Sequence, residues 1–161
     1  DGVQVMEAQS DAQKLIPNSA MIATTDLGEE LSIHPRHKRE VGQRLAAQAL
    51  VMTYDVKAKC WSAVRAKEIR FEGEKAVITF ENANYGMTPQ HEVVPGFELA
   101  GKDGVFHPAE GRVAISKPIV EVTSNEVKEP VAVRYAFHNY TPTTLCNTYG
   151  IPVIPFRSDR E

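Results

Sequence analysis

The chain has 161 residues, of which 42% are hydrophobic and 24% charged, and it carries a formal net charge of -3. That is the composition of a globular protein with one ordinary domain or two small ones, and its scattered Lys and Arg residues give no basic stripe for nucleic acid. No apolar run approaches the ~20 residues that span a bilayer, and the opening DGVQVMEAQS has neither the basic start nor the apolar core of a signal segment. Neither nucleic acid nor a membrane is therefore expected as a partner. The chain begins at Asp1 without Met and reads as a mature product or an excerpt. Cys60 and Cys146 are too few and too far apart for a disulfide framework or a metal site, and read as ordinary unpaired thiols.

In chain order, residues 3–16 place Val5, Ala8, Ala12 and Leu15 at helical spacing, and Pro17 to Ser19 close the segment with turn residues. Residues 20–24, AMIAT, are too short for a helix and apolar on both faces, as a strand buried in a parallel sheet would be. The next helix is predicted to begin at Pro35, where a missing N–H is harmless, with Val41, Leu45, Ala49 and Met52 on one face. A lone doubly buried strand has no hydrogen-bonding partner, so helix, strand and helix read as the last αβα portion of a parallel-sheet domain whose earlier units lie elsewhere.

After Tyr54 the pattern changes to runs of strand length: AKEIRFEG, KAVITFEN, GFELAG, RVAISKPIVEVTS and VAVRYAFHN. Turns are predicted around Gly73 and at Lys102 to Gly104. This second region is expected to be a small antiparallel β-sandwich. The boundary falls between residues 55 and 65, which divides the chain into 1–58 and 59–161.

The chemistry concentrates in TTDLGEELSIHPRHK, residues 24–38. With Pro35 opening a helix, His34 stands just before it, at the edge where open α/β folds build their sites. The positive helix end would favour neutral imidazole, the state a general base needs. Asp26, Glu29 and Glu30 are candidates to orient the other ring nitrogen. A surface or capping role for His34, and a turn-stabilising role for Asp26, are the plain alternatives. His34 and His37 are spaced for a shared metal, but no third ligand has matching spacing. None of the serines at 10, 19, 32, 62, 116, 124 and 158 sits in a Gly-x-Ser-x-Gly frame, and Ser32 is too local to His34 to be its partner.

The stretch TTDLGEELSIHPRHKREVGQRLA resembles the His block of the sialate O-acetylesterases of the SGNH hydrolase superfamily, with an Asp-Leu turn, Ile33-His34-Pro35 and the helix motif Lys38-x-x-Val41-Gly42-x-Arg44-Leu45-Ala46. Residues 93–124 and 130–159 are similar to that family's carboxyl-terminal β-domain, including Arg134-Tyr135 and Pro155-Phe156-Arg157. The similarity runs from about Met6 to Asp159.

What the resemblance implies is a serine esterase that removes O-acetyl groups from sialic acids, with a flavodoxin-like SGNH portion followed by the β-domain and with no cofactor. It implies His34 as general base and Asp26 as its orienting acid. The superfamily often places the acid three residues before the His, where this chain has Leu31, so Glu29, Glu30 or no acid remain open. The family's nucleophilic Ser turn and oxyanion donors are absent, so the expected partners are an O-acetylated sialic acid or related glycan and an amino-terminal part of the same enzyme. The compartment it implies is periplasmic or extracellular. Two other readings stand beside it: esterase chemistry on another acetylated glycan, or a carbohydrate-binding or structural β-module. In the latter, Tyr85, Phe97, Phe106, Tyr135, Phe137 and Tyr140 are either stacking rings or core.

Overall fold

The computed structural model describes residues 2–56 and 62–160. Two helices, α1 (Gly2–Leu15) and α2 (Lys38–Tyr54), precede nine strands: β1 (Arg65–Glu72), β2 (Lys75–Glu81), β3 (Met87–Thr88), β4 (Val94–Ala100), β5 (Phe106–Val113), β6 (Ile119–Thr123), β7 (Ala132–Tyr135), β8 (Cys146–Asn147) and β9 (Phe156–Arg157). Seven of them form one antiparallel sheet in the order β1-β2-β6-β5-β4-β7-β9, and β3 pairs β8 as a separate ribbon. Alternation in β2 and β6 fixes their register, because a one-residue slip would turn Ile78, Val120 and Val122 out of the core. At the β1–β2 turn Gly73 supplies the positive φ, +61°, that a two-residue hairpin loop requires.

The sheet curls on itself. Val64, just before β1, bridges Val153, and the Ile154 N–H donates to the Val64 carbonyl at 3.1 Å, so the two edges nearly meet as in a barrel. The antiparallel, β-rich second region is as the alternation predicts, but it is a single curled sheet with a ribbon and not two sheets of comparable size. Its interior holds Phe97 and Tyr135 with ring centroids 4.6 Å apart, and Phe156 packs against both. Gly111 makes this possible, since a Cβ there would lie 2.5 Å from the Phe97 ring. Phe97 and Tyr135 are thus core residues, whereas Phe106 and Phe137 lie under the guanidinium groups of Arg134 and Arg157.

Helix α1 covers the seam. Glu7 accepts from Arg157 at 3.0 and 3.1 Å and pairs with Arg160 at 2.7 Å, while Asp11 pairs with Arg160 at 2.8 Å. From the other edge, Arg65 donates to Ser10 and, at 2.9 Å, to Gln13. Covering an open sheet edge with a helix blocks further strand addition. The buried residues of α1 are Val3 and Ser10; Val5 is exposed and Leu15 is 82% exposed. The apolar face read from the sequence therefore points outward, and a polar face anchors the helix.

Among the described residues no parallel-sheet portion is seen: residues 20–24 belong to no ladder, as expected of a segment whose neighbouring strands lie elsewhere, and only Ala23 of the five is buried. Two expectations about the second helix are corrected. Helix α2 begins at Lys38, with His37 as its N-cap, and not at Pro35. Its single buried residue is Arg44; Leu45 and Met52, assigned to the packing face, are exposed.

Candidate functional site

Residues 24–37 form the arm that joins the seam to α2. A turn closes it at one end, where the Leu27 N–H donates to the Thr24 carbonyl at 3.0 Å and the Leu27 side chain is buried as a plug. The middle is cross-braced by the Glu29–Ser32 bridge. At the far end the Arg36 N–H donates to Glu29 Oε1 at 3.1 Å. That contact, with the Lys38 N–H donating to the Arg36 carbonyl at 2.8 Å, holds 35–37 in a turn and delays the helix.

His34 is exposed on this arm, four residues before the first helical residue. The field of a helix end falls off within its first turn, so the helix-end effect expected for a histidine abutting the helix is not available. The backbone N–H of His34 donates to Ser32 Oγ at 3.2 Å. The imidazole makes no hydrogen bond among the described residues. Its neighbours in sequence, Leu31 and Ile33, are 98% and 89% exposed.

Asp26 is engaged by the following helix. Arg44 grips it as a fork, with Nη1 to Oδ1 at 2.7 Å and Nη2 to Oδ2 at 2.6 Å, and Nη1 also donates to the Ala23 carbonyl at 2.6 Å. This bidentate geometry is the strong form of a carboxylate–guanidinium pair. The structure thus brings Asp26 to Arg44 and not to the His34 ring. Glu29 is engaged by the arm backbone, and Glu30 is exposed. His37 Nδ1 lies 3.6 Å from Glu40 Oε1, and among the described residues no group of three or more His, Cys, Asp and Glu is placed to hold a metal. Cys146 is a free thiol, 3.1 Å from Thr88 Oγ1; Cys60 lies outside the described residues.

Arg44 is the residue that sequence reasoning missed. An arginine within a helix has no spacing signal that names a partner 18 positions earlier, although it stands inside the motif Lys38-x-x-Val41-Gly42-x-Arg44. What the site can do chemically is limited and clear: it presents an imidazole to solvent on a braced arm, and the arm is pinned to its helix by a buried guanidinium. No helix among the described residues is long and apolar enough to cross a membrane.

No protein-family model and no curated protein matches the chain. Among solved structures it is similar to a carbohydrate acetylesterase from Xanthomonas citri, with a TM-score of 0.87 and 35% sequence identity. The similarity covers 98% of this chain and 36% of that one, so the chain spans about a third of the length of the enzyme it resembles.

Proposed function

We propose that this chain is part of a carbohydrate O-acetylesterase and supplies the general base of its reaction. The observation that carries the reading is the 35% identity over nearly the whole chain to a carbohydrate acetylesterase, together with an exposed His34 on the arm of the His block. The nucleophile and the oxyanion donors belong to an amino-terminal part with which this chain assembles. The exposed Leu31 and Ile33 flanking the histidine are surface for that part to cover.

In the reaction, a serine of the amino-terminal part attacks the acetyl carbonyl while His34 takes its proton. The tetrahedral intermediate collapses, and His34 returns the proton to the departing sugar oxygen. Water, deprotonated by the same imidazole, then attacks the acyl-enzyme, and acetate leaves as the serine recovers its proton. Asp26 acts through Arg44 as a positioning residue that fixes the arm. Sialic acids are the substrate that the sequence resemblance favours, and the compartment that goes with it is periplasmic or extracellular.

The test is His34→Ala in the complete enzyme, assayed by acetate release from 9-O-acetylated sialic acid and from acetylated neutral oligosaccharides. The rate falls by at least ~10²-fold, the low end for loss of a positioned general base. Near-normal turnover by a folded variant contradicts the assignment. Activity confined to the neutral substrates replaces the sialic acid preference and leaves the base in place.

A further inference from the structure

Strand β7 ends at Tyr135, and the next residue, Ala136, has a φ of +49°. A residue with a Cβ holds that conformation only where its surroundings impose it. Here the Ala136 N–H donates to the Gly96 carbonyl at 2.7 Å, and Gly96 itself has a φ of +87°. A side chain on Gly96 would crowd Thr141, whose Cγ2 lies 3.2 Å from where its Cβ would be. The kink carries the segment after β7 out of the sheet toward the root of the His34 arm.

Between the two lies a cleft of about 180 Å³, lined from the arm by Thr24, Thr25 and Gly28 and from the β-region by Asn139, Tyr140 and Thr143, among others. Both Thr25 Oγ1 and Thr143 Oγ1 are buried and have no hydrogen-bond partner among the described residues. Enclosed hydroxyls left unpaired are destabilising, and native proteins keep few of them without a use. Asn139 accepts from the Gly2 N–H through Oδ1, which leaves its amide donors uncommitted. Tyr140 is 42% exposed. Among the described residues no Lys, Arg, Asp or Glu lines the cleft; His138 does, with its Nε2 3.3 Å from Glu98 Oε2.

We propose that this cleft is a subsite for one uncharged sugar ring of the carbohydrate substrate, a proposal that rests on the esterase reading above. The threonine hydroxyls, each able to donate and accept, pair with ring hydroxyls, and the Asn139 amide adds a donor. Tyr140 and the threonine methyls offer an apolar wall to the ring's C–H face. The volume is below the ~300 Å³ at which sites for drug-sized ligands begin, which fits a single ring and not an oligosaccharide. With no Lys or Arg in that lining and the His138 ring turned to Glu98, the cleft offers a sialate carboxylate no dedicated partner. A sialoside would place its charged group outside this cleft.

The experiment is a ¹⁵N NMR titration of the 161-residue chain with methyl β-D-glucopyranoside, methyl β-D-xylopyranoside and the methyl glycoside of N-acetylneuraminic acid. A neutral glycoside shifts the amides of Thr25, Asn139, Tyr140 and Thr143 saturably in the millimolar range, and the sialoside does not. Thr143→Val weakens that binding about tenfold, as loss of one hydrogen bond does, without lowering the melting temperature, because the hydroxyl has no partner among the described residues. The cleft assignment is overturned by no shifts at tens of millimolar, which leaves water or a polypeptide segment as its occupant. It is equally overturned by shifts confined to other residues, by binding of the sialoside alone, or by unchanged affinity in Thr143→Val. Binding here with an inactive complete enzyme would sink the esterase reading and keep the cleft; activity without binding would do the reverse.

Discussion

The two helices are attached to the same curled sheet in opposite ways. Helix α1 is fixed by four side chains, Glu7, Ser10, Asp11 and Gln13, to arginines from both edges of the barrel. Helix α2 has the Arg44 fork and a 3.5 Å contact between Gln48 and Ser62, and otherwise exposes Leu45, Leu50, Val51, Met52 and Tyr54. One helix completes the barrel; the other, with the His34 arm, is a surface that the barrel does not need. Apolar area left in water forgoes roughly 25 cal/mol per Å² of burial, which is what a partner covering α2 and the arm would recover.

That contrast predicts a graded series of effects. The largest belongs to the barrel interior: Phe97→Ala, which removes the ring seated over Gly111, destabilises the chain by about 3–5 kcal/mol, read as a collapse of the cooperative thermal transition. Next comes Arg44→Ala. It strands the Asp26 carboxylate and the Ala23 carbonyl, costing about 2–3 kcal/mol locally. Hydrogen exchange then shows α2 opening while the β2 and β6 amides keep their protection, and equal loss of protection in both regions would erase the distinction drawn here.

Glu7→Gln is expected to cost about 1–2 kcal/mol and to lower the melting temperature by several degrees. The pH dependence has a definite sign. Burial works to raise the Glu7 pKa, but the hydrogen bonds and charges of Arg157 and Arg160 outweigh it, and hydrogen bonding to Arg160 holds Asp11 low as well. Carboxylates with depressed folded values add stability above the ordinary carboxylate range, and that stability disappears as pH falls below about 4 through the folded values. Melting curves of the native chain and Glu7→Gln converge there. The smallest effect is that of Leu31→Ser and Ile33→Ser, within about ±0.5 kcal/mol for the isolated chain, while both weaken its assembly with the amino-terminal part.

The strands were legible because alternation and turn residues are local: the hairpin at Gly73 and the runs 75–82 and 96–101 fall where period and turn chemistry place them. The exposure of His34 on a segment between an apolar run and a helix was legible in the same local way. The helix faces were misread because hydrophobic period assumes that apolar burial orients a helix, and here ion pairs do. The Glu7–Arg157 pair joins residues 150 positions apart, and neither carries a pattern that announces the other. The start of α2 was displaced by one carboxylate, Glu29, accepting the Arg36 N–H, a bond that Pro35 gives no hint of. Asp26 was read beside His34, whereas its hydrogen-bond partner in the structure is Arg44 of the following helix.

The central claim, that this chain brings a base whose nucleophile lies on another part of the enzyme, meets its most direct test in acetate release from acetylated sugars by the purified 161-residue chain, alone and with the amino-terminal part. The account predicts background rates for the chain alone, since an imidazole without a nucleophile or oxyanion donors has nothing to activate, and activity once the two parts assemble. Robust release by the chain alone that vanishes in His34→Ala would mean that a local hydroxyl such as Ser32 attacks the ester, and would contradict it.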